Sequence, residues 1–345
     1  MRRLYLREKD KNILNVIVEN YLKFGKAISS GFISSQGIPI PPATIRYIMA
    51  KLEDLGYLYQ PHTSAGRIPT DKGLRFYVNT LLEEAILPEE QLTLPSEKFY
   101  LRKADFNSLL TEVSTILAEY SDNLGFVLSP RISRINFNHL RFIKVSEEKV
   151  MIILIASFNL VLTEIVEAST YFSQDELDKA SDYINKSFRG RNLLFIRDYL
   201  LHELPKYKLR YEDIMVKLIA LLKAYIFQEE ENRIFLQGTS KLLDKPEFLE
   251  VEKLKSLFQQ FEEKAKLAKL ISDFISLDKV KVLIGSELNI PDISDCSLVL
   301  SHYGYNRQVL GSLGIIGPKR IPYKKIIPLV DSVAKKLSQT ISFNH

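Results

Sequence analysis

The sequence holds a single cysteine, Cys296, no tryptophan, and only five histidines in 345 residues. One cysteine cannot close an internal disulfide, so a reducing, cytoplasmic compartment is the default expectation. Long apolar runs are also missing. The longest, Val150 to Ala156, is seven residues, against the roughly 20 that a membrane helix needs. Glu8, Lys9, Asp10 and Lys11 stand where a secretory signal would place its apolar core, so no membrane partner is expected. The histidines (His62, His139, His202, His302 and His345) are scattered, none at ligand spacing to another or to Cys296. That pattern argues against zinc and against a metal site in general. Gly304, Gly311, Gly314 and Gly317 make neither a dinucleotide fingerprint nor a phosphate loop. Cys296 shares strand parity with Leu298 and Leu300, which turns it toward a core, and nothing nearby would activate it. Nothing points to a catalytic residue, a cofactor or an enzyme.

What is present is ordinary in amount and unusual in placement. Hydrophobic residues make up 46% and charged residues 26%, the usage of a folded chain. The length predicts two or three domains. Net charge is +5, but residues 1–80 carry twelve Lys or Arg against six Asp or Glu, while the remainder carries 35 against 36. All of the excess positive charge therefore lies in the first quarter, as in a module that meets a polyanion attached to a neutral body.

Within that quarter, helical spacing of Ile13, Val16, Ile17, Asn20, Tyr21 and Phe24 predicts a helix over 7–24, stopped by Gly25. Ser29 or Ser30 caps a short second helix through Ser35. Pro42 opens a third, whose Ile45, Ile48, Met49, Leu52 and Leu55 form one apolar stripe. Its other face offers Thr44, Arg46, Tyr47, Ala50 and Lys51. After Gly56 the period becomes extended. Residues 57–60 and 67–70 pair around a tip of His62, Thr63, Ser64, Ala65 and Gly66, and Asp71 caps a fourth helix. Three helices and a hairpin make a winged helix-turn-helix. Its third helix would enter the major groove with Thr44, Arg46, Tyr47 and Lys51, while Arg67 on the wing would meet a phosphate or the minor groove. His62, Thr63 and Ser64 lie at the wing tip, where His62 either touches DNA or stiffens the wing. A helical protein-binding module is the competing reading of the same pattern.

Residues 84–103 mix proline and charge and read as a linker. Beyond them the pattern predicts a helix over 105–120, a strand over 125–129, and a meander over 140–145, 150–156 and 160–166, joined by connections short enough for antiparallel pairing. Helices follow near 174–187, 191–203 and 211–229. Next come a strand at 234–237, helices near 247–261 and 263–275, strands at 280–284, 296–302 and 308–316, and a final helix over 323–341. In the helix near 191–203, Leu193, Leu194, Phe195, Ile196, Tyr199 and Leu200 are apolar on most sides. They form either a dimer interface or the packing of that helix on its own sheet.

The stretch Pro42-Ala43-Thr44-Ile45-Arg46, then Met49, Leu52-Glu53, Leu55-Gly56-Tyr57-Leu58 and the unbroken fourteen residues from Gln60 to Gly73 resemble the heat-inducible transcription repressor HrcA family. So do Asp295-Cys296-Ser297-Leu298-Val299, Phe235 to Ser240 with Pro246-Glu247-Phe248, and Gly311 to Arg320. One position departs: at Tyr47 the family usually has asparagine. The resemblance implies an α+β, multidomain protein. Residues 1–83 would be a winged helix-turn-helix DNA-binding domain. Residues 104–135 and 229–345 would form a GAF-like antiparallel α+β domain, and 136–228 an inserted α+β dimerising domain. It further implies a homodimer that binds an inverted-repeat (CIRCE-type) operator ahead of chaperone operons, with the chaperonin GroEL keeping the repressor active until heat diverts it. A metabolite-responsive regulator, binding a small effector in the GAF-like domain, is the alternative.

Overall fold

A computed structural model describes residues 6–63, 65–83, 106–130, 135–157, 161–168, 171–193, 195–196, 199, 234–243, 245–248, 280–290, 293–305 and 308–343. The expected linker, the helices near 211–229 and 263–275, most of that near 247–261, and Ser64, Leu194 and Leu200 lie outside them. Over the described residues the chain is mixed α+β with three separate antiparallel sheets of two, five and three strands.

The N-terminal part follows from capping and apolar periodicity. Helix α1 (Glu8–Phe24) starts where Asp10 turns back to accept the Arg7 amide at 3.1 Å. It ends at Gly25, whose φ of 66° lets its N–H reach the Tyr21 carbonyl. Ser29 caps α2 (Ser30–Ser35) by accepting from the Phe32 amide at 3.1 Å. Pro42 occupies the first position of α3 (Pro42–Asp54). Ile13, Leu14 and Ile17 of α1 meet Ile33 of α2 and Ile45, Ile48 and Leu52 of α3 in a closed core. Strands β1 (Leu58–Tyr59) and β2 (Ile68–Pro69) pair Leu58 with Pro69 and Tyr59 with Ile68. Ile28 adds a bridge to Arg67. A Cβ on Gly66 would sit 2.3 Å from the Ile28 backbone, so that bridge requires glycine.

The fourth helix, α4 (Asp71–Glu83), is capped differently from the expectation. Thr70, not Asp71, takes the capping role: its Oγ1 accepts from the Gly73 amide at 3.2 Å and donates to the Gly56 carbonyl at 2.7 Å. A hydroxyl both accepts and donates, so it joins the helix start to the preceding turn. The Asp71 carboxylate is thereby released for other partners.

The five-stranded sheet runs β7-β3-β10-β9-β8, from β3 (Leu124–Leu128), β7 (Ile234–Gln237), β8 (Lys281–Ile284), β9 (Cys296–Tyr305) and β10 (Gln308–Pro318). Helices α5 (Phe106–Ser121) and α8 (Tyr323–Phe343) cover one face, over Val127, Val299, Tyr303, Leu313 and Ile315. Cys296, Leu298, Leu300, Leu124, Phe126 and Ile316 form a second core on the other face, with Leu242 of α7 (Thr239–Leu243) and Phe248. Central strands covered on both faces are apolar at nearly every position, and Cys296 points into that second core as its parity required.

Strands β4 (Phe137–Lys144), β5 (Lys149–Ala156) and β6 (Val161–Glu167) form the predicted meander, and α6 (Gln174–Phe188) packs along β4. The outer amides of β4 are satisfied by α6 side chains. Leu140 N–H donates to Asn185 at 2.7 Å, Phe142 N–H to Ser181 at 3.1 Å and Lys144 N–H to Gln174 at 2.8 Å. Covering an edge in this way removes a pairing hazard. Val150, Ile152 and Leu154 of β5 are buried on one side, and Met151, Ile153 and Ile155 face the other, where they are only partly covered.

Candidate nucleic-acid interface

Helix α3 splits cleanly into two faces. Its stripe of Ile45, Ile48, Met49 and Leu52 is buried. Thr44, Arg46, Tyr47 and Ala50 are exposed, and Tyr47 is 71% exposed, the most open large hydrophobic side chain of the described residues. An aromatic ring this open, with a phenolic hydroxyl at its tip, suits a thymine methyl, a base edge or a phosphate. Arg46 is anchored lightly, its Nε donating to the Ser30 hydroxyl at 3.3 Å, which ties α3 to the start of α2. The guanidinium keeps spare donors for an anion.

Lys51 does not share that openness. Its ammonium donates to Asp10 of α1. Asp10 is almost fully buried at 5% exposure. Burial alone would raise the Asp10 carboxyl, but the Lys51 hydrogen bond and the Arg7 amide outweigh it and hold the group below its ordinary value. Lys51 thus clamps α3 onto α1. Arg67 is likewise engaged, its Nε 2.8 Å from Glu53 Oε2, which fastens the wing to the end of α3.

The wing tip is braced by a residue that the pattern of helices and strands did not single out. Gln60 Nε2 donates to the Thr63 carbonyl and to the Ala65 carbonyl, both at 2.9 Å. One amide group can donate twice, so a single side chain closes the turn. His62 and Thr63 are exposed outside this brace, and the Ala65 amide returns to the His62 carbonyl at 2.8 Å. Lys72 donates to the Leu55 carbonyl at 2.7 Å and lies 4.4 Å from the Tyr57 ring centroid, packing the root of the wing against α3. The structure therefore brings Thr44, Arg46, Tyr47, His62 and Thr63 onto an open surface. Lys51 and Arg67 stand behind it in ion pairs.

Of the residues expected at a dimer contact, Leu193 and Ile196 are buried in the core beneath the three-stranded sheet, and Tyr199 is partly buried with its ring against Phe188. Phe195 is the exposed member, 50% open and stacked on Tyr199. Among the described residues no group of three His, Cys, Asp or Glu could hold a metal ion, and no helix is long and apolar enough to cross a membrane.

Comparison with known proteins agrees over nearly the whole length. The family model described as HrcA protein C terminal domain matches residues 107–327. A heat-inducible transcription repressor HrcA from Geobacter sulfurreducens is 33% identical over 337 residues, covering 97% of this chain and 98% of that protein. The protein of the same name from Nitrosomonas eutropha is 34% identical over 340 residues, covering 98% and 100%. A crystal structure of a hypothetical protein superposes with a TM-score of 0.69 at 24% identity, over 99% of this chain and 100% of that one, a likeness of fold.

Proposed function

The chain belongs to the heat-inducible transcription repressor HrcA family, a family of repressors and not of enzymes, and from that premise we propose that it represses chaperone operons by binding an inverted-repeat, CIRCE-type operator as a homodimer. The observation that carries the proposal is the open face of α3 beside the braced wing. Three helices and a hairpin expose Thr44, Arg46 and Tyr47 on one helix face, with His62 and Thr63 beyond it. In this reading the first 83 residues are a winged helix-turn-helix. Helix α3 lies in the major groove and the wing, with Ser64 at its tip and Arg67 at its root, follows the backbone. Lys51 contributes by holding α3 at the correct angle and, where its ammonium also reaches the duplex, by neutralising a phosphate.

The five-stranded sheet with α5 and α8 is read as the GAF-like body, and the meander with α6 as the inserted dimerising domain. Support for a second copy comes from the side of that meander that the described residues leave only partly covered. Register places Met151 between Ile143 and Ile165, Ile153 between Arg141 and Thr163, and Ile155 between His139 and Val161. Val161 and Ile165 are 45% and 51% exposed. A mostly apolar sheet face matched to itself by a two-fold axis is an isologous contact, and two-fold protein symmetry mirrors a palindromic site. Phe195, exposed and stacked on Tyr199, is a further candidate for the contact, while Leu193 and Ile196 are buried in the core; Leu194 and Leu200 are kept as candidates on the sequence alone. The chaperonin GroEL is the proposed partner that keeps the dimer competent, and its loss to heat-unfolded clients relieves repression.

The test is an anisotropy titration of the full-length protein against a CIRCE-type duplex, a scrambled duplex and a single half-site at one fixed salt concentration, with and without chaperonin. Two-fold binding to the repeat, tighter than to the scrambled duplex by about 10³-fold or more, is the expected result. Equal weak binding to all three duplexes under both conditions overturns the proposal.

A further inference from the structure

Two of the sequence strings that mark the family, Gln60 to Gly73 and Gly311 to Arg320, each hold a residue that the DNA-binding reading leaves without a role, Asp71 and Lys319. They meet each other. Asp71, released from capping by Thr70, accepts from Lys319 Nζ at 2.8 Å across 248 positions of sequence. Its second oxygen accepts from the Ser286 backbone amide at 3.2 Å. The approach depends on Gly285, which has a φ of +55° and where a Cβ would lie 2.3 Å from that Asp71 oxygen. One helical turn further along α4, Arg75 faces Glu287 in a two-pronged ion pair, with Nε to Oε1 at 2.7 Å and Nη2 to Oε2. The same Nη2 donates to the Val282 carbonyl of β8, an edge strand, at 2.6 Å. Glu287 is itself held by the Ile284 amide at 2.9 Å. Nearby, the guanidinium of Arg320 lies over Gly25, where a Cβ would come within 3.0 Å, and bonds Glu247 at 2.6 Å.

We propose that Asp71, Arg75, Glu287 and Lys319 are positioning residues: they form a joint that fixes the angle of the helical head on the body and so sets the half-site spacing that a dimer accepts. Forked guanidinium–carboxylate bonds define orientation as well as contact. That fork and the Asp71–Lys319 pair, one turn apart on α4 and each joined to a backbone amide or carbonyl of the body, leave the head little freedom to rotate about that helix. Each of the four side chains keeps a quarter to a third of its exposure. Water and salt can therefore compete for the joint. None of its bonds uses Thr44, Arg46, Tyr47 or the wing, so the head can be locked or unlocked with its DNA-facing residues unchanged.

The inference rests on the dimeric, operator-binding reading above, and its test has one arm that needs no DNA. In the full-length protein, spin labels at Asp54→Cys and Lys325→Cys, on exposed positions of head and body, report the head–body distance by pulsed dipolar spectroscopy. One narrow distribution is expected for the otherwise unaltered chain, a broad one for Asp71→Lys or Lys319→Glu, and a narrow one again when both are combined. In the DNA arm, duplexes carry the two half-sites at spacers varied through about half a helical turn, roughly 5 bp. The unaltered chain should favour one spacer by at least tenfold, and each single variant should lose that preference while binding an isolated half-site normally. Distributions that stay narrow in both single variants overturn the joint. So does a combined variant as broad as either single one, because it assigns the broadening to damaged folding. Failure of the unaltered chain to bind any repeat, with the distance arm as expected, overturns the operator reading and leaves the joint standing.

Discussion

Lysine 51 is the residue for which position on a helical wheel and position in the fold disagree, and removing it separates two roles. Lys51→Met deletes the ammonium that donates to Asp10 and leaves that carboxylate with the Arg7 amide. Breaking a fully buried ion pair from one side costs about 3–5 kcal/mol, and an exposed pair contributes about 0.2–1 kcal/mol. Here the Asp10 side chain is 6% exposed and that of Lys51 25%. The pair sits between those limits, nearer the buried one, so the expected loss is about 1–3 kcal/mol. Native-state hydrogen exchange of α1 and α3 amides in the full-length protein reads that loss locally. Asp10→Asn and the double variant complete a cycle whose coupling should exceed about 1 kcal/mol. The same cycle on the exposed Glu8–Lys11 pair, 2.7 Å apart at the surface, should give a clearly smaller coupling, because water screens it. The pH dependence follows in sign. The Asp10 carboxyl is depressed in the folded state, so its contribution is complete above the unfolded carboxylate range and disappears as pH falls through the lower folded value. A coupling no larger than that of Glu8–Lys11 would refute the clamp. A drop of about one in the salt slope of operator binding, with exchange unchanged, would instead place Lys51 on a phosphate.

Tyr47→Ala should leave thermal stability within about 0.5 kcal/mol, since the side chain is 71% exposed, yet weaken operator binding by about 1–3 kcal/mol; titration beside a melting curve checks both. Gly314→Ala would place a Cβ 2.0 Å from the Val299 carbonyl within the central strand pair, and overpacking of that kind should cost about 1–3 kcal/mol or more in a denaturant melt. The Cys296 thiol is pushed up to about 12, first by burial and then by the Asp295 carboxylate, so maleimide should label it only in denaturant; rapid native labelling at pH 8 would contradict the buried placement. Ile153→Arg, on the open side of β5, should shift a dimer toward monomer in sedimentation with its fold intact. Leu154→Arg, one residue on and buried, should unfold the meander instead.

The α+β class and most element boundaries were legible because each element was specified locally. Gly25 had to end α1, Pro42 had to begin α3, and the seven apolar residues from Val150 had to be a strand with short connections on both sides. Whether an outward-looking cation is free was not legible, because that depends on partners set by the fold. Lys51 and Arg46 both lie outside the apolar stripe of α3, about 140° apart around the helix, and what ties Lys51 down is Asp10, 41 positions away. The capping of α4 shows the same limit at shorter range. Asp71 and Thr70 are both good capping residues, and only the carbonyl of Gly56, brought alongside by the hairpin, favours the hydroxyl that can donate as well as accept. That choice frees a carboxylate exactly one residue into the helix, within reach of Lys319 and the Ser286 amide. A local choice between two neighbouring side chains thereby supplies one of the two ion pairs by which α4 meets the body. The strings around Asp71 and Lys319 read as separate signatures in the sequence because their shared purpose exists only once both ends of the chain are folded.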